Sequence, residues 1–471
     1  MITFLICLVL LISSYFIYGK YVTKQFGIDT NAKMPSETMY DGVDYLPLPQ
    51  WKTFLIQLLN IAGLGPIFGA ILGACYGPIA FLWITLGGIF IGAVHDFASG
   101  YISIKMNGAS FTEITSHYLG KYSKYFIVPF MLLLMVLVGA VFMVGPAGLL
   151  NGMLPLGISI WIWIILIYYL LATLLPIDKI IGKIYPIFGF VLIFMALGLL
   201  FVIFTQNYTI PELSFHNFKI DADIMPIFPT LFITIACGAV SGFHATQSPL
   251  MARCLTSNKQ TRFVFFGAMI SESTIALIWA AIAMAFFGGV YELNQTLAEH
   301  SNNAAHIVGI ITNTTLGKIG AVLTLLGVVA APISSGDTAF RSARLMVADF
   351  FKLEQRSLWK RITVCIPLFA IGFGITLMDY GILWRYFAWC NQALAVITLW
   401  VGTLCLAESK KRYFFILLPA IFMTYIVINF FLVSNQMLAV DYTIGSAVSG
   451  IITIFVIILC LLKIKKSDIK N

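Results

Sequence analysis

The chain has 471 residues, of which 60% are hydrophobic and only 10% charged, with a net charge of +8 and a mean hydropathy of +0.95. An ordinary soluble domain carries about 25% charged residues, so a soluble enzyme or nucleic-acid-binding domain is excluded and an integral membrane protein is implied. The positive charge sits in the connections between apolar segments, so it speaks to orientation in a bilayer and not to a nucleic-acid partner.

Windows of about 20 mainly apolar residues predict about thirteen transmembrane helices, at roughly 2–18, 53–75, 78–104, 125–150, 157–176, 184–205, 227–245, 263–289, 316–335, 362–379, 383–406, 413–434 and 443–463. Barrel strands would be shorter and alternating, so the fold class is all-α and polytopic. The first segment begins Met1-Ile-Thr-Phe4 and is followed by Lys20 and Lys24, the reverse of a secretory signal; it reads as a retained helix. Of the 28 Lys and Arg, all but Lys219, Lys318 and Arg385 lie in 19–52, 105–124, 177–183, 247–262, 336–361, 407–412 and 463–471. Each cluster follows an odd-numbered helix, which places the N-terminus outside and the C-terminus in the cytoplasm.

The connection 19–52, with Pro35, Pro47 and Pro49, reads either as an ordered flap or as a flexible leader. The second predicted helix carries Asn60-Ile-Ala-Gly-Leu-Gly-Pro-Ile-Phe-Gly69, where Gly63, Gly65 and Pro66 lower helix propensity and remove a backbone donor. In the third, Gly92, His95, Asp96 and Ser99 share one face by i, i+3, i+4 spacing. A histidine beside an aspartate can take up and release a proton near neutral pH, or can simply cap and cross-link helices.

The seventh predicted helix ends in Cys237-Gly-Ala-Val-Ser-Gly-Phe-His-Ala-Thr-Gln-Ser-Pro249. Backbone groups freed at a helix break cannot be satisfied by lipid, so such a string lines a cavity or packs on protein. Freed N–H groups suit a carboxylate and freed carbonyls suit a cation. Gly63, Gly65, Pro66, Ser241, Gly242, His244, Thr246 and Gln247 are therefore the substrate-binding candidates, and His95, Asp96, His244 and Glu272 the proton-coupling candidates. The alternative for the string is a kinked helix end capped by its own polar groups.

After the eighth helix, with Glu272 between Ser271 and Ser273, the ninth ends Ala331-Pro-Ile-Ser-Ser-Gly-Asp337-Thr338-Ala-Phe-Arg341. Ser334, Ser335 and Asp337 are cation-site candidates, although Asp337 also suits a cap and an i, i+4 pair with Arg341. Residues 337–352 continue this helix or lie along the interface. The eight cysteines stand singly, without metal-binding spacing, so no metal or cofactor is expected. No G-x-x-x-x-G-K-[ST], H-E-x-x-H or G-x-S-x-G motif occurs, which argues against ATP-driven transport, the common hydrolases and an enzyme in general.

The two Gly/Pro-interrupted segments lie five predicted helices apart, and five is odd. The second half then enters the bilayer from the opposite side, as inverted repeats at 53–205 and 227–406, flanked by 1–52 and by 407–471. This organisation resembles the LeuT-like fold of amino-acid/polyamine/organocation carriers, in which paired hydroxyls at the position of Ser334 and Ser335 help to hold sodium. Gly92-Ala-Val-His-Asp-Phe97, Cys237 to Pro249 with Met251-Ala-Arg-Cys254, and Ser335-Gly-Asp-Thr-Ala-Phe-Arg341 resemble the carbon starvation protein A (CstA) family of bacterial inner-membrane carriers. That resemblance implies uptake of peptides or pyruvate under nutrient limitation, by cation symport with a proton, or alternatively sodium, as the coupling ion. The rival classes are a membrane-embedded sensor, an intramembrane enzyme and a channel. Oligomeric state is not legible.

Overall fold

The computed structural model describes residues 1–41, 44–174, 181–300, 302–353 and 358–470. The end of the expected 157–176 span and the start of the basic 177–183 connection fall outside these residues, as do 42–43, 354–357 and 471 of the other basic segments. Helices α1 (Ile2–Phe16) and α2 (Tyr18–Phe26) precede α3 (Gln50–Ile61) and α4 (Gly65–Ala74), which meet at a bend of 55°. Then come α5 (Ile79–Lys105), the short α6 (Phe111–Leu119), α7 (Lys124–Met153), α8 (Ile158–Leu174) and α9 (Ile181–Thr205).

Helix α10 (227–234) and α11 (His244–Ala252) flank a second break, followed by α12 (262–286) and the short α13 (Val290–Glu299). Helix α14 (Ala304–Leu323) turns at Gly317 (φ 55°, ψ −139°) and runs through Thr324–Ala330 into α15 (Ala331–Phe350). Helices α16 (Leu358–Ile375), α17 (Tyr380–Glu408), α18 (Phe414–Val433) and α19 (Tyr442–Lys470) complete the chain.

Among the described residues, nine helices are long and apolar enough to cross a bilayer, or ten if the bent pair counts as one span. The other expected spans are shorter or interrupted: α8 has 17 residues, α16 has 18 with Lys360 and Arg361 at its start, and 227–245 is broken. Two expected boundaries move. The seventh segment extends to Ala252, because its second half is a separate helix that begins at His244. The ninth, expected at 316–335, runs on to Phe350, so 337–352 is a helix continuation and not a separate interfacial piece. Arg341 and Arg344, expected in a wet connection, are consequently buried.

Burial separates inner from outer helices. In their most apolar windows, 83% of the spans ending in α12 and formed by α17 is buried, against 28% for α1–α2 and 17% for α19. His95 and Asp96 of α5, Glu272 of α12 and Asn391 and Gln392 of α17 are thus fully enclosed by protein, as intramembrane polar groups require. The two ends of the bundle are distinct. At one, Lys105 Nζ donates to Ser409 Oγ, Lys411 Nζ to the Phe26 carbonyl and Arg253 Nε to the Gly108 carbonyl. At the other, the N-terminal ammonium donates to Glu212 and Ile210, and Asn294 Nδ2 donates to the carbonyls of Cys75 and Phe218.

The described residues between α2 and α3 form a flap on the basic end. Leu48 N–H donates to the Cys254 carbonyl, Ser36 Oγ to the Leu255 carbonyl and Asn258 Nδ2 to the Asp29 carbonyl. Met34 and Leu48 pack in a small hydrophobic cluster with Met251, Ala252 and Leu255. Of the 19–52 connection, residues 19–26 belong to α2, 50–52 to α3, and 42–43 lie outside the described residues.

Candidate functional site

The first break follows from Gly63, Gly65 and Pro66. Pro66 cannot donate a helical N–H, α3 stops at Ile61, and the glycines let other chains come close. A Cβ on Gly63 would lie 2.7 Å from the Phe142 ring, and one on Gly65 would lie 2.0 Å from Cys237 Cβ. The second break spans 235–243. Gly238 there has φ +90°, a conformation that favours glycine, and its Cβ would strike Ala276 and approach Pro66. The two breaks therefore pack directly on each other through Gly65, Pro66, Cys237 and Gly238.

Several backbone groups freed at the second break find partners in buried side chains or backbone of neighbouring helices, as a lipid-embedded discontinuity demands, while Val240 N–H bonds within the break to the Ala236 carbonyl. On the carbonyl side, Trp384 Nε1 donates to Thr234, Trp83 Nε1 donates to Ile235 at 3.2 Å, and Gln392 Nε2 donates to Phe232 and Ile235. On the amide side, Gly238 N–H donates to Glu272 Oε1 at 3.2 Å and Phe243 N–H to Asn391 Oδ1 at 2.6 Å. Gly242 N–H donates to the Asn391 carbonyl at 3.0 Å. Asn391 also donates through Nδ2 to Ser241 Oγ at 2.9 Å and to Cys237 Sγ at 3.4 Å.

Helix α5 lays the predicted face on this break. A Cβ on Gly92 would lie 2.3 Å from the Ala239 carbonyl, and Ser99 Oγ donates to the Ala245 carbonyl at 3.4 Å. Between them, Asp96 joins both histidines: His95 Nδ1 lies 2.9 Å from Oδ1, and His244 Nδ1 lies 3.1 and 3.0 Å from Oδ1 and Oδ2. An ionised carboxylate can only accept, so both rings donate from Nδ1 and keep a lone pair on Nε2 when neutral. His244 Nε2 in turn lies 3.4 Å from Glu272 Oε2. All four side chains have no solvent exposure. His95 and Asp96 are thus enclosed by protein on all sides.

The continuous row Asp96, His244, Glu272 can hold and relay a cation. With neutral histidines and both carboxylates ionised it would carry two buried negative charges, which is costly until a proton or metal ion compensates them. Thr246 and Gln247 sit on α11 beyond this row, with Thr246 Oγ1 donating to the Phe243 carbonyl and Gln247 Nε2 to Thr246. Ser334 and Ser335 donate to the Ala331 carbonyl of their own helix, and the Ser334 carbonyl accepts from Tyr185. Asp337 lies 3.8 Å from Arg341 Nη2 at i, i+4, and the same nitrogen donates to the Ala172 carbonyl. Of the structural role considered for Asp337, the pair with Arg341 is present, whereas the cap is not, because Asp337 lies inside α15.

Residues that the sequence did not single out also enter the site. Asn391 and Gln392 were detectable as two adjacent amides in the middle of an apolar span. Gln57, whose Nε2 donates to Ser248 Oγ at 3.0 Å, was the polar residue preceding the first break. Cys237 stands alone in the sequence, yet its Sγ, a His244 nitrogen and a Glu272 oxygen all lie within 4.8 Å of one another. The expectation of no metal-binding cluster rested on spacing along the chain, and the fold assembles these three from two segments.

Two cavities open toward opposite ends. One of about 580 Å³ is lined by Asn151, Glu299, His306, Asp379 and Tyr380 among others, and one of about 490 Å³ by Glu113, Lys124, Tyr125 and Phe350 among others. The floor of the first is an aromatic cluster in which Phe68, Tyr380 and Trp384 have ring centroids 6.2–6.3 Å apart. Beneath it lies the first break, since a Cβ on Gly69 would come within 3.2 Å of Trp384.

Comparison with known proteins agrees with this architecture. The model of the family described as carbon starvation protein CstA matches residues 1–152 and 145–326. An uncharacterized membrane protein of Haemophilus influenzae is 42% identical over 63% of this chain and 94% of its own length. The peptide transporter CstA of Bacillus subtilis is 24% identical over 95% and 92%, and the pyruvate/proton symporter BtsT of Escherichia coli 26% identical over 59% and 48%. Among solved structures, a manganese transporter of Eremococcus coleocola superposes with a TM-score of 0.52 at 13% identity, over 94% of this chain and 99% of that one. At that identity the likeness concerns the fold alone.

Proposed function

As the chain belongs to the carbon starvation protein CstA family, we propose that it is a secondary active transporter that imports small carboxylate-bearing nutrients, peptides or pyruvate, by cation symport across the bacterial inner membrane. The observation that carries this reading is the fully buried row Asp96, His244, Glu272, built across a helix break and two neighbouring helices. Such a row serves a carrier that must take up a cation on one side and release it on the other. The proton is the coupling ion in this reading, because both histidines contact the same carboxylate. Sodium near Ser334 and Ser335 is the alternative.

The fold supporting this function is a LeuT-like arrangement of thirteen spans, with inverted five-helix repeats at 53–205 and 227–406. Its support is the element order, which occurs twice: a broken helix, a long helix with a π-helical stretch, a short helix, then three further helices. Segments 1–52 and 407–471 flank that core. The N-terminus is outside, since the basic connections cluster at the end away from Met1. The cavity above Tyr380 and Trp384 then faces outward and the cavity beside Lys124 faces inward, with the helix breaks as the substrate site between them.

The test is uptake of labelled pyruvate and of a labelled dipeptide by proteoliposomes, under an imposed proton or sodium gradient. Accumulation that a protonophore abolishes is the expected result, and the labelled compound that accumulates names the substrate class. Glu272→Gln, which keeps the volume and an acceptor for Gly238, is expected to abolish accumulation while retaining exchange of solute. No accumulation of either compound under any gradient overturns the assignment and favours a sensor.

A further inference from the structure

We propose that Cys237, His244 and Glu272 form a binding site for a divalent transition-metal ion of the zinc class, with Asp96 and Asn391 orienting its ligands. Three independent features point to it. The first is convergence: a sulfur, an imidazole nitrogen and a carboxylate oxygen lie within 4.8 Å of one another, all buried. His244 turns Nδ1 to Asp96, which leaves Nε2 as the nitrogen facing Glu272 Oε2 at 3.4 Å. Two ligand atoms each about 2.0–2.1 Å from a tetrahedral zinc ion are about 3.3 Å apart, so this spacing fits an ion between them with little movement.

The second feature is unmet valence. His244 Nε2 and Glu272 Oε2 are both buried and neither makes a hydrogen bond. Two such groups left facing each other in a protein interior are costly, and a cation between them satisfies both.

The third is the set of groups behind the ligands. Metal-bound histidines usually give their other ring N–H to a carboxylate, which fixes the ring and raises its basicity; Asp96 stands at that position on His244. The second oxygen of Glu272 is held by Gly238 N–H at 3.2 Å. Asn391 Nδ2 lies 3.4 Å and Ser241 Oγ 3.5 Å from Cys237 Sγ, both able to donate to a thiolate.

The ligand chemistry selects the metal class. Magnesium and calcium take oxygen ligands, whereas thiolate with imidazole and one carboxylate suits zinc or cobalt. Binding releases the thiol proton to solvent, and the divalent ion offsets the Cys237 thiolate and the Glu272 carboxylate, while the Asp96 carboxylate is held by the N–H donors of its two histidines. Three protein ligands leave one coordination position open. The bound ion cross-links the second break to α12 and occupies the lone pairs of His244 and Glu272, so the loaded chain is held in one conformation. The inference does not depend on the transport reading, since it concerns binding alone.

The test uses the purified full-length protein in detergent, without solute or gradient, equilibrated with Co²⁺. Wild type is expected to bind one Co²⁺ per chain with a sulfur-to-cobalt charge-transfer band that Zn²⁺ displaces, and to melt at a higher temperature with Zn²⁺ than without. Cys237→Ser should abolish the band. Asp96→Asn should weaken binding by about 10- to 100-fold, while Cys75→Ser, a buried cysteine whose thiol donates to its own helix, should leave the band intact. The Zn²⁺-dependent melting shift of wild type needs no variant, so a misfolded mutant does not blunt the test. Cobalt uptake without a sulfur band, as stacked His300 and His306 (centroids 3.5 Å apart) could provide, overturns the proposal, as does a band that survives Cys237→Ser.

Discussion

Asn391 is the residue whose removal should most weaken the second break. Its Oδ1 accepts from Phe243 N–H at 2.6 Å and from Ser241 Oγ at 3.2 Å, and its Nδ2 returns a bond to Ser241. In Asn391→Ala the Phe243 N–H is left buried without an acceptor, a penalty of about 1–3 kcal/mol. That corresponds to about a 5- to 150-fold loss in the folded-to-opened ratio. All eight cysteines are buried, so unfolding in detergent can be followed by a dye that fluoresces on reaction with thiols. The unfolding midpoint of Asn391→Ala should fall, and that of Asn391→Leu, which fills the space but restores no hydrogen bond, should fall with it. If Asn391→Leu unfolds like wild type, the loss in the alanine variant is a cavity effect and the hydrogen-bond reasoning is wrong.

Further outcomes are expected elsewhere. Gly242→Ala places a Cβ 2.2 Å from the Asn391 carbonyl oxygen and 2.4 Å from Ala395 N. Neither backbone atom can rotate away, so a loss of about 1–3 kcal/mol should appear as a lowered melting temperature. Gly152→Ala, with nothing within 4 Å and inside α7, should be neutral or stabilising by up to about 1 kcal/mol. Trp384→Ala should speed labelling of Cys237 by a membrane-impermeant thiol reagent, and the added signal should vanish in a double variant with Cys237→Ser; an unchanged rate would mean that the aromatic floor is not a barrier.

Glu212, which accepts from the N-terminal ammonium and from the N–H groups of Ile2 and Thr3, is held well below the ordinary carboxylate range by those bonds. Because its folded value is depressed, its stabilisation is full above the unfolded value of about 4.3 and is lost as pH falls through the folded one. The difference in melting temperature between wild type and Glu212→Gln should therefore be constant near neutrality and close only on strong acidification.

Much of the fold was legible because hydrophobic run length is a direct physical requirement of a bilayer. The predicted 78–104 and 383–406 fall within three residues of Ile79–Lys105 and Tyr380–Glu408 at each end. Helix breaks were also legible, since Gly63, Gly65, Pro66 and Gly238 are poor choices for a lipid-facing helix. The limit at 252 was not, because polar residues such as Gln247 continue a helix where burial satisfies them, and run length alone did not choose between the two readings of 337–352, of which the helix continuation to Phe350 is observed. For the site, the face of Gly92, His95, Asp96 and Ser99 followed from helical spacing alone. That His244 would reach the same carboxylate across 148 residues did not, and neither did the part played by Cys237 and Asn391. Those contacts exist only because two glycine-lined breaks can approach each other, which spacing along the chain does not encode.

The flap between α2 and α3 has a mechanical consequence. Helix α11 behaves as a lever: its inner end carries His244, and just past its other end the chain is lashed to residues 29–48 by three hydrogen bonds, from Leu48, Ser36 and Asn258. Tilting that lever would either snap the lashing, at about 0.5–1.5 kcal/mol for each bond, or drag the flap and the peripheral α1–α2 span along with it. A helix at the rim of the molecule is in this way yoked to a histidine at its centre, and a crosslink that immobilises the flap should arrest the centre from a distance.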